Sequence, residues 1–281
     1  MFAKLRPALA VLLVPLLLTA CIDVEKVVHV KADGSGVVEE TVLMKKELVA
    51  MLKGMATMGG EAPPELLDEA KLQASAAAMG PGVSLLSAEP FATASGEGYR
   101  ARFAFTDINQ LRLDQNPAAR APDMGDEPDG PAAADKEEPL TFELAGGDQP
   151  LLIIRPPREE QSADAEKDEA RQTTAESLDD PAAQMAMMMM SQFLDGLRVA
   201  VYVVVDGEII ETNATHHEGS RITLMEMDFG KLLQDPARFQ AFARQEPESL
   251  EAAKALMKDL PGIKIDLNPE VQIRFRAHSP D

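Results

Sequence analysis

The sequence predicts an α+β fold, a curved antiparallel sheet with helices packed mainly on one of its faces. Short segments in which apolar and polar residues alternate are typical of strands, and turns rich in glycine and aspartate separate them. Other stretches repeat their apolar residues at helical spacing, which indicates amphipathic helices. Two acidic, low-complexity stretches interrupt the sheet.

A β-hairpin opens the predicted fold. Residues 22–30 alternate, residues 33–36 supply the turn sequence Asp-Gly-Ser-Gly, and residues 37–43 continue extended. The next predicted elements are helices over residues 45–58 and 65–79 and strands over residues 83–86 and 99–106. The first helix is expected to turn one apolar stripe inward, formed by Leu48, Met51, Leu52 and Met55.

The second half of the chain is predicted to complete the sheet. Its predicted strands cover residues 140–144, 151–154, 197–205, 209–215, 221–227, 263–267 and 271–275, and its predicted helices cover residues 181–196, 229–233, 237–244 and 247–260. The dipeptide Asp206-Gly207 is interpreted as a turn that returns residues 209–215 beside the preceding strand.

Residues 115–139 and 157–181 are predicted to be disordered insertions. Both stretches are acidic and contain few large apolar residues, so they cannot offset the entropy of becoming ordered. The segments between them are too short to fold alone. Residues 21–281 are therefore predicted to form a single α+β domain.

Residues 1–20 are predicted to be a lipoprotein signal peptide. Lys4 and Arg6 precede an almost wholly apolar run at residues 8–18, and that run is too short to span a bilayer, which takes about 20 residues. The alternative is an ordinary signal peptide with a cysteine at this position by chance.

The end of the apolar run resembles a bacterial lipobox. Leu18, Thr19 and Ala20 are the predicted recognition residues for the signal peptidase, and Cys21 is the predicted attachment site for diacylglycerol and an amide-linked fatty acid such as palmitate. Each buried methylene contributes about 0.8 kcal/mol, so two or three acyl chains would hold the protein on the membrane permanently. Ile22 stands where an inner-membrane retention signal would have Asp. The predicted destination is therefore the outer membrane of a Gram-negative bacterium.

The charge of the chain excludes several classes of partner. Removal of residues 1–20 takes away Lys4 and Arg6 and leaves 25 basic against 47 acidic residues, a formal charge of −22. Nucleic acid requires a basic face, and a strongly acidic protein does not adhere to anionic headgroups by its overall charge. Attachment to the membrane must come from the acyl chains. Cys21 is the only cysteine, so the fold has no disulfide and depends on its hydrophobic core.

No catalytic, metal-binding or cofactor-binding motif is found in the sequence. It has no nucleophile elbow, no HExxH, no glycine-rich phosphate loop and no cysteine–histidine pair, so we predict a protein that is not an enzyme and has no cofactor. His216 and His217 stand beside Glu218, but adjacent residues on a strand point to opposite faces and chelate poorly. A hairpin tip is the preferred interpretation, and no metal site is predicted.

The helix predicted over residues 181–196 contains five methionines. A Cu(I) site is one interpretation, because thioethers favour that ion, but four consecutive methionines point around the whole helix. An apolar packing helix is preferred. A further hypothesis is a lid, with Met185, Met187 and Met190 covering an apolar cavity and repacking around acyl chains.

Several short motifs resemble the LppM-like bacterial lipoproteins. They are Cys21 followed by a strand and Asp33-Gly34-Ser35-Gly36, the strand from Gly98-Tyr99 to Phe105-Thr106-Asp107 with Leu111, and the late pattern of Val201 to Asp206-Gly207, Glu211-Thr212-Asn213 and the strand from Arg221. The resemblance covers about half of the chain after Cys21, in pieces. It implies a small α+β module with a concave sheet that holds lipids.

Two hypotheses of function follow. In the first, an exported, lipid-anchored envelope protein binds a lipid or similar amphiphile on a concave apolar face. In the second, an envelope lipoprotein with a filled core has a structural role or binds a protein partner. An open apolar cavity would favour the first hypothesis, and close packing throughout would favour the second.

Deletion of residues 123–136, or of residues 159–176, is expected to leave the fold intact, because neither segment has the apolar residues that a packed element needs. Thermal unfolding followed by circular dichroism checks this expectation. A cooperative loss of stability in either deletion variant would show that the segment is a packed element.

Overall fold

The computed structural model describes residues 22–60, 62, 65–114, 138–156, 196–234, 249–258 and 260–277. Within these ranges the strands are β1 (Ile22–Val30), β2 (Gly36–Lys45), β3 (Val83–Ala92), β4 (Gly96–Phe105), β5 (Arg112–Leu113), β6 (Leu140–Ala145), β7 (Leu151–Arg155), β8 (Leu197–Val205), β9 (Gly207–Thr212), β10 (His217–Glu218), β11 (Arg221–Asp228), β12 (Ile263–Ile265) and β13 (Val271–Ala277). The helices are α1 (Lys46–Gly59), α2 (Glu69–Ala78), α3 (Phe229–Leu233) and α4 (Leu250–Lys258), and a short 3-10 helix spans Ile108–Gln110.

Several predicted segments lie outside the described residues. They are the signal peptide, the insertion at residues 157–181, the helix at residues 237–244, the methionine-containing helix except its last residue, and the insertion at residues 115–139 except its last two residues. The described part is mainly sheet with few helices, which agrees with the predicted α+β class. That the helices lie mainly on one face stays a prediction.

The first sheet has eight strands in the order β10-β11-β8-β1-β2-β4-β3, with β12 paired to β11. β1 and β2 form the predicted hairpin, from Ile22 opposite Met44 to Val30 opposite Gly36. β1 pairs with β8 in parallel, with Ile22 opposite Leu197. The prediction of a wholly antiparallel sheet is therefore wrong at this pair. Hairpins between sequence neighbours are antiparallel, but the other edge of β1 is filled by a strand from the second half of the chain.

A second sheet of five strands has the order β5-β6-β7-β13-β9. It contains the predicted hairpin of β6 and β7. β9 was predicted to return beside β8, and this prediction is wrong, because β9 pairs with β13. The cause is that both edges of β8 are occupied, one by β1 and the other by β11. The chain must therefore leave the first sheet after Val205.

One hydrophobic core contains side chains from both sheets and from α1 and α2. Phe103 on β4 and Phe275 on β13 are among its largest fully buried side chains. Phe103 and Phe105 share the inner face of β4, as their alternation predicts. The two sheets thus stabilise each other by burying one face each.

The buried stripe of α1 differs from the predicted one. Val49 and Leu52 are buried, whereas Met51 is 52% exposed. Successive residues of a helix are about 100° apart, so a helix that turns Val49 and Leu52 toward the core directs Met51 away from it. The side chain of Met55 lies outside those that the structure describes. The helix itself lies within one residue of the predicted bounds, and it is followed by Gly60, which has the left-handed conformation (φ 76°) common after helices.

Replacement of Phe103 by Ala is expected to lower the free energy of unfolding by about 3–5 kcal/mol, because it leaves a cavity between packed side chains. Leu86→Ala on the neighbouring strand is the control. Leu86 is 54% exposed, so its replacement is expected to change stability by less than about 0.5 kcal/mol. Urea unfolding of both variants makes the comparison, and equal losses would contradict the assignment of Phe103 to the core.

Candidate functional site

The residues predicted for lipid attachment, Leu18, Thr19, Ala20 and Cys21, lie outside the described residues. The lid residues Met185, Met187 and Met190 also lie outside them. Both assignments stay predictions from the sequence. The structure describes what these segments are joined to, above all the start of β1.

β1 begins at Ile22, the residue that follows Cys21. The Ile22 amide donates a hydrogen bond to the carbonyl oxygen of Gly196 at 2.8 Å. On the opposite side Ile22 pairs with Met44 of β2. β1 is a central strand of the first sheet, and it begins one residue after the predicted attachment site.

The turn between β1 and β2 explains one of the motifs noted in the sequence. The side chain of Asp33 accepts hydrogen bonds from the amide and the hydroxyl of Ser35, at 2.9 and 2.7 Å. These bonds hold the pKa of Asp33 below its usual value. Gly34 has φ +84°, and a Cβ at Gly36 would collide with the carbonyl of His29 and the ring of Phe105. The motif therefore shapes a tight turn, and its residues need no ligand to account for them.

The Thr212-Asn213 motif also has a structural role. The Thr212 hydroxyl donates to the carbonyl oxygen of Gln272 at 2.7 Å. The side-chain oxygen of Asn213 accepts from the Gln272 amide at 2.7 Å, and its nitrogen donates to the Glu270 carbonyl at 2.9 Å. The motif thus fixes the end of β9 against β13.

A charged cluster lies on the inner face of the first sheet. Lys26 and Glu40 are cross-strand partners and are only 4% and 0% exposed. The Lys26 ammonium is 3.8 Å from Oε2 of Glu40 and donates to the carbonyl oxygen of Asp114 at 3.0 Å. The hydroxyl of the buried Tyr99 donates to Oε1 of Glu40 at 2.8 Å. The cluster is closed to solvent, so it can link strands but cannot meet a substrate.

The pair of Lys26 and Glu40 was not predicted, although the sequence contains a signal for it. Lys26 shares the phase of Val24 and Val28, and Glu40 shares the phase of Val38 and Val42. A charge at an alternate position within an apolar face predicts a buried, paired charge on a strand. The cross-strand pairing of the hairpin then makes Lys26 and Glu40 neighbours.

Arg198 on β8 joins the strands beside it on the other face of the first sheet. Its guanidinium is 2.8 Å from Oδ1 of Asp23, 3.3 Å from Oε2 of Glu25 and 4.0 Å from Oε1 of Glu226, and it donates to the Tyr202 hydroxyl at 3.0 Å. Burial raises the pKa of Asp23 above its usual value, although Arg198 acts in the opposite direction. The cluster connects β1, β8 and β11, with one guanidinium shared among three carboxylates.

A cleft of about 530 Å³ lies between β8, β11 and the loop before β10. Its lining includes Tyr202, His216, His217, Arg221, Glu226 and Lys264. The Arg221 guanidinium lies 3.5 Å from the centre of the Tyr202 ring, and Lys264 is 3.3 Å from Glu226. Burial lowers the pKa of His216, which favours its neutral form. A cleft with paired charges and a neutral imidazole suits polar groups of a partner better than an acyl chain.

The loop that carries His216 is held by Asp266. This buried carboxylate accepts hydrogen bonds from the Thr215 amide at 2.7 Å and from the Asn268 amide at 3.0 Å. His217 is exposed and lies on β10, next to the turn into β11. The interpretation of His216-His217 as part of a hairpin tip agrees with this geometry. Among the described residues, no group of three or more His, Cys, Asp or Glu side chains could hold a metal ion.

Among the described residues, none of the helices combines the length and the apolar composition that crossing a membrane requires.

The sequence matches no protein-family description and no curated protein. Among solved structures, the chain is similar to the folded domain of the Mycobacterium tuberculosis LppM protein, determined by NMR. The two share 12% sequence identity over 93% of each chain, with a TM-score of 0.33. A TM-score of this size does not establish a shared fold.

Replacement of Lys26 by Met is expected to lower the free energy of unfolding by about 3–5 kcal/mol, because Glu40 stays buried after losing a cationic partner. The double variant Lys26→Met, Glu40→Met removes both charges and is expected to be more stable than the single variant. Urea unfolding measures both.

The control is Lys53→Met, which breaks the exposed pair of Lys53 and Glu97. Its expected cost is below about 1 kcal/mol. The single variant Glu40→Met completes the comparison. If the double variant lost as much stability as Lys26→Met and Glu40→Met together, the charges of Lys26 and Glu40 would not be coupled.

Proposed function

We propose that this chain is an exported envelope lipoprotein, held on the membrane by acyl chains on Cys21. The lipobox-like residues Leu18, Thr19, Ala20 and Cys21 carry this proposal. The start of β1 at Ile22 supports it, because a domain joined directly to its anchor stays at the bilayer surface. Ile22 in place of Asp favours the outer membrane of a Gram-negative bacterium as the destination.

The proposed role is non-enzymatic. In the described part of the chain, the charged side chains that lie close together are engaged with one another. Lys26 and Glu40 form a pair closed to solvent, and Arg198 is paired with Asp23 and Glu25. Groups fixed in such pairs support strand packing and are poorly suited to proton transfer or nucleophilic attack.

Binding of a partner at the surface is the function that the geometry supports best. Large buried side chains, including Phe103, Ile108 and Phe275, belong to the core that the two sheets share. The two clefts described are at the surface. One is the polar cleft beside Tyr202, and the other, of about 330 Å³, lies by the β1–β2 turn next to His29 and Asp206.

Binding of a lipid or amphiphile is the alternative. It rests on the resemblance to LppM-like lipoproteins and on the methionine-rich residues 185–190, both read from the sequence. We also propose distant membership of that lipoprotein family, which the motifs support. Intact-mass measurement of the protein purified from its native membrane distinguishes partner binding from amphiphile binding. A covalent diacylglyceryl adduct alone supports the partner-binding function, and an additional non-covalent lipid supports the amphiphile-binding one.

Replacement of Cys21 by Ser is expected to abolish attachment, since no other cysteine can carry the acyl chains. The variant should remain unprocessed or appear in the soluble fraction. Membrane fractionation with a high-salt wash, followed by mass determination, tests this expectation. The anchor proposal fails if the variant is recovered as a processed protein that resists the salt wash on membranes.

A further inference from the structure

Helix α1 begins beside the predicted lipid-attachment site. β2 ends at Lys45, and Met44 pairs with Ile22, the neighbour of Cys21 in the chain. The helix starts at Lys46, two residues after Met44. At about 1.5 Å per residue its 14 residues extend about 21 Å from this point. The start of the helix is therefore close to this end of the sheet, and so is Lys53, whose partner Glu97 pairs with Met44.

Three contacts fix the side of α1 that faces the domain. Val49 and Leu52 are buried in the core. The Lys46 amide donates to the carbonyl oxygen of Ser95 in the β3–β4 turn at 3.2 Å. The Lys53 ammonium is 3.0 Å from Oε1 of Glu97. The helix therefore cannot turn its other side inward without breaking these contacts.

The other side of α1 exposes several apolar residues, with the carboxylate of Glu47 on the same side in the first turn. Met51 is 52% exposed and Met58 is 92% exposed, and both are among the most exposed large apolar side chains of the described residues. Ala50 and Gly54 are also exposed, and both are uncharged. Methionine side chains are flexible and adapt to irregular apolar surroundings.

The charge of this region differs from that of the rest of the protein. The whole chain has a formal charge of −20, but residues 45–60 contain three lysines and a single carboxylate, that of Glu47. Lys53 pairs with Glu97, the Lys46 ammonium donates to the carbonyl oxygen of Ala94 at 3.1 Å, and Lys45 lies just before the helix. An anionic surface would repel most of this domain, and it would repel the start of α1 less.

We propose that the exposed face of α1, formed by Met51 and Met58 with Lys45 and Lys46 at its start, rests on the bilayer that holds acylated Cys21. This inference builds on the lipid anchor proposed above. The acyl chains supply the attachment, and α1 determines which side of the domain faces the lipid. A tether of this kind raises the effective concentration of the bilayer near α1, so a weak apolar contact is sufficient to orient the domain.

A bilayer is a better match for this face than a protein partner, because the anchor fixes a bilayer within reach of α1. The proposal also orients the remaining domain. β1 runs roughly 26 Å from Ile22 to the β1–β2 turn. The cleft beside that turn, lined by His29, Lys31 and Asp206, then faces away from the membrane toward soluble partners.

The absence of tryptophan from the chain permits a direct test. Single-tryptophan variants Met51→Trp and Met58→Trp report on α1, and their fluorescence is quenched by lipids brominated on the acyl chains. Lys31→Trp, in the exposed distal turn, and Leu86→Trp, 54% exposed on β3, are the controls.

The mature protein is attached to vesicles of phosphatidylethanolamine and phosphatidylglycerol in two ways. In the first, its native acyl chains insert into the vesicle. In the second, the Cys21 thiol of unacylated protein is coupled to a maleimide lipid.

Quenching at positions 51 and 58 is expected to exceed that at positions 31 and 86 by about twofold or more, because side chains of an interfacial helix reach the acyl boundary. The proposal is overturned if attached protein shows no quenching at positions 51 and 58, or equal quenching at all four. It is also overturned if the α1 fluorescence shifts to the blue without quenching, since a protein would then cover the helix.

The two forms of attachment distinguish this proposal from the lipid anchor itself. If the cell-derived protein fails to float with vesicles, the anchor proposal fails. The maleimide-coupled protein still reports whether α1 meets the bilayer. If both forms float and neither shows the quenching pattern, the anchor stands and the role of α1 is rejected.

Charge variants give an independent measure of the same contact. Lys45→Gln and Lys46→Gln are each expected to lower the ratio of contacting to free α1 about fivefold on vesicles with phosphatidylglycerol. Lys258→Gln, at the exposed end of α4, is the matched control and should leave the ratio unchanged. An equal effect of all three replacements would assign the change to net charge and contradict a specific contact by α1.

Discussion

The pairing of β1 on both of its edges is the constraint from which the rest of the structure follows. β2 occupies one edge through a tight hairpin, and β8 occupies the other in parallel. Since β11 closes the far edge of β8, the chain leaves the first sheet after Val205, and β9 joins the second sheet by pairing with β13. Side chains of the two sheets pack in one hydrophobic core, which covers the inner face of the first sheet. One central strand therefore determines why the domain has two layers.

The charges in this central strand restrict its register. Lys26 on β1 meets Glu40 on β2 inside the core, while Asp23 and Glu25 on the opposite face meet Arg198 of β8. A slip of one residue would move Lys26 to the open face and bring a different side chain opposite Glu40. An unpaired charge in that position is far more costly than a surface charge. The polar pairs therefore make alternative pairings unfavourable, whereas the valines alone would tolerate several.

The local elements could be predicted from the sequence, but the pairings between strands that are distant in the chain could not. The β1–β2 hairpin, the β6–β7 hairpin and α1 follow from alternation, helical spacing and glycine turns, all of which act over a few residues. The parallel β1–β8 pair and the departure of β9 depend on which strand edges are already occupied, and no local pattern encodes that. The exposure of Met51 was missed for a related reason, since the apolar stripe of α1 includes more residues than the core can accept. Of the predicted site, only its junction with β1 lies among the described residues.

A strand that begins one residue after the proposed lipid-attachment site has consequences that a long linker would remove. A flexible linker would let the domain sample all orientations, and no surface would face the bilayer for long. Here Ile22 is hydrogen-bonded into the sheet. If Cys21 is acylated as we propose, only a single peptide link separates the anchor from the first strand. The exposed methionines of α1 would then bias the orientation of the sheet, and the β1–β2 turn at the other end of β1 would be open to partners.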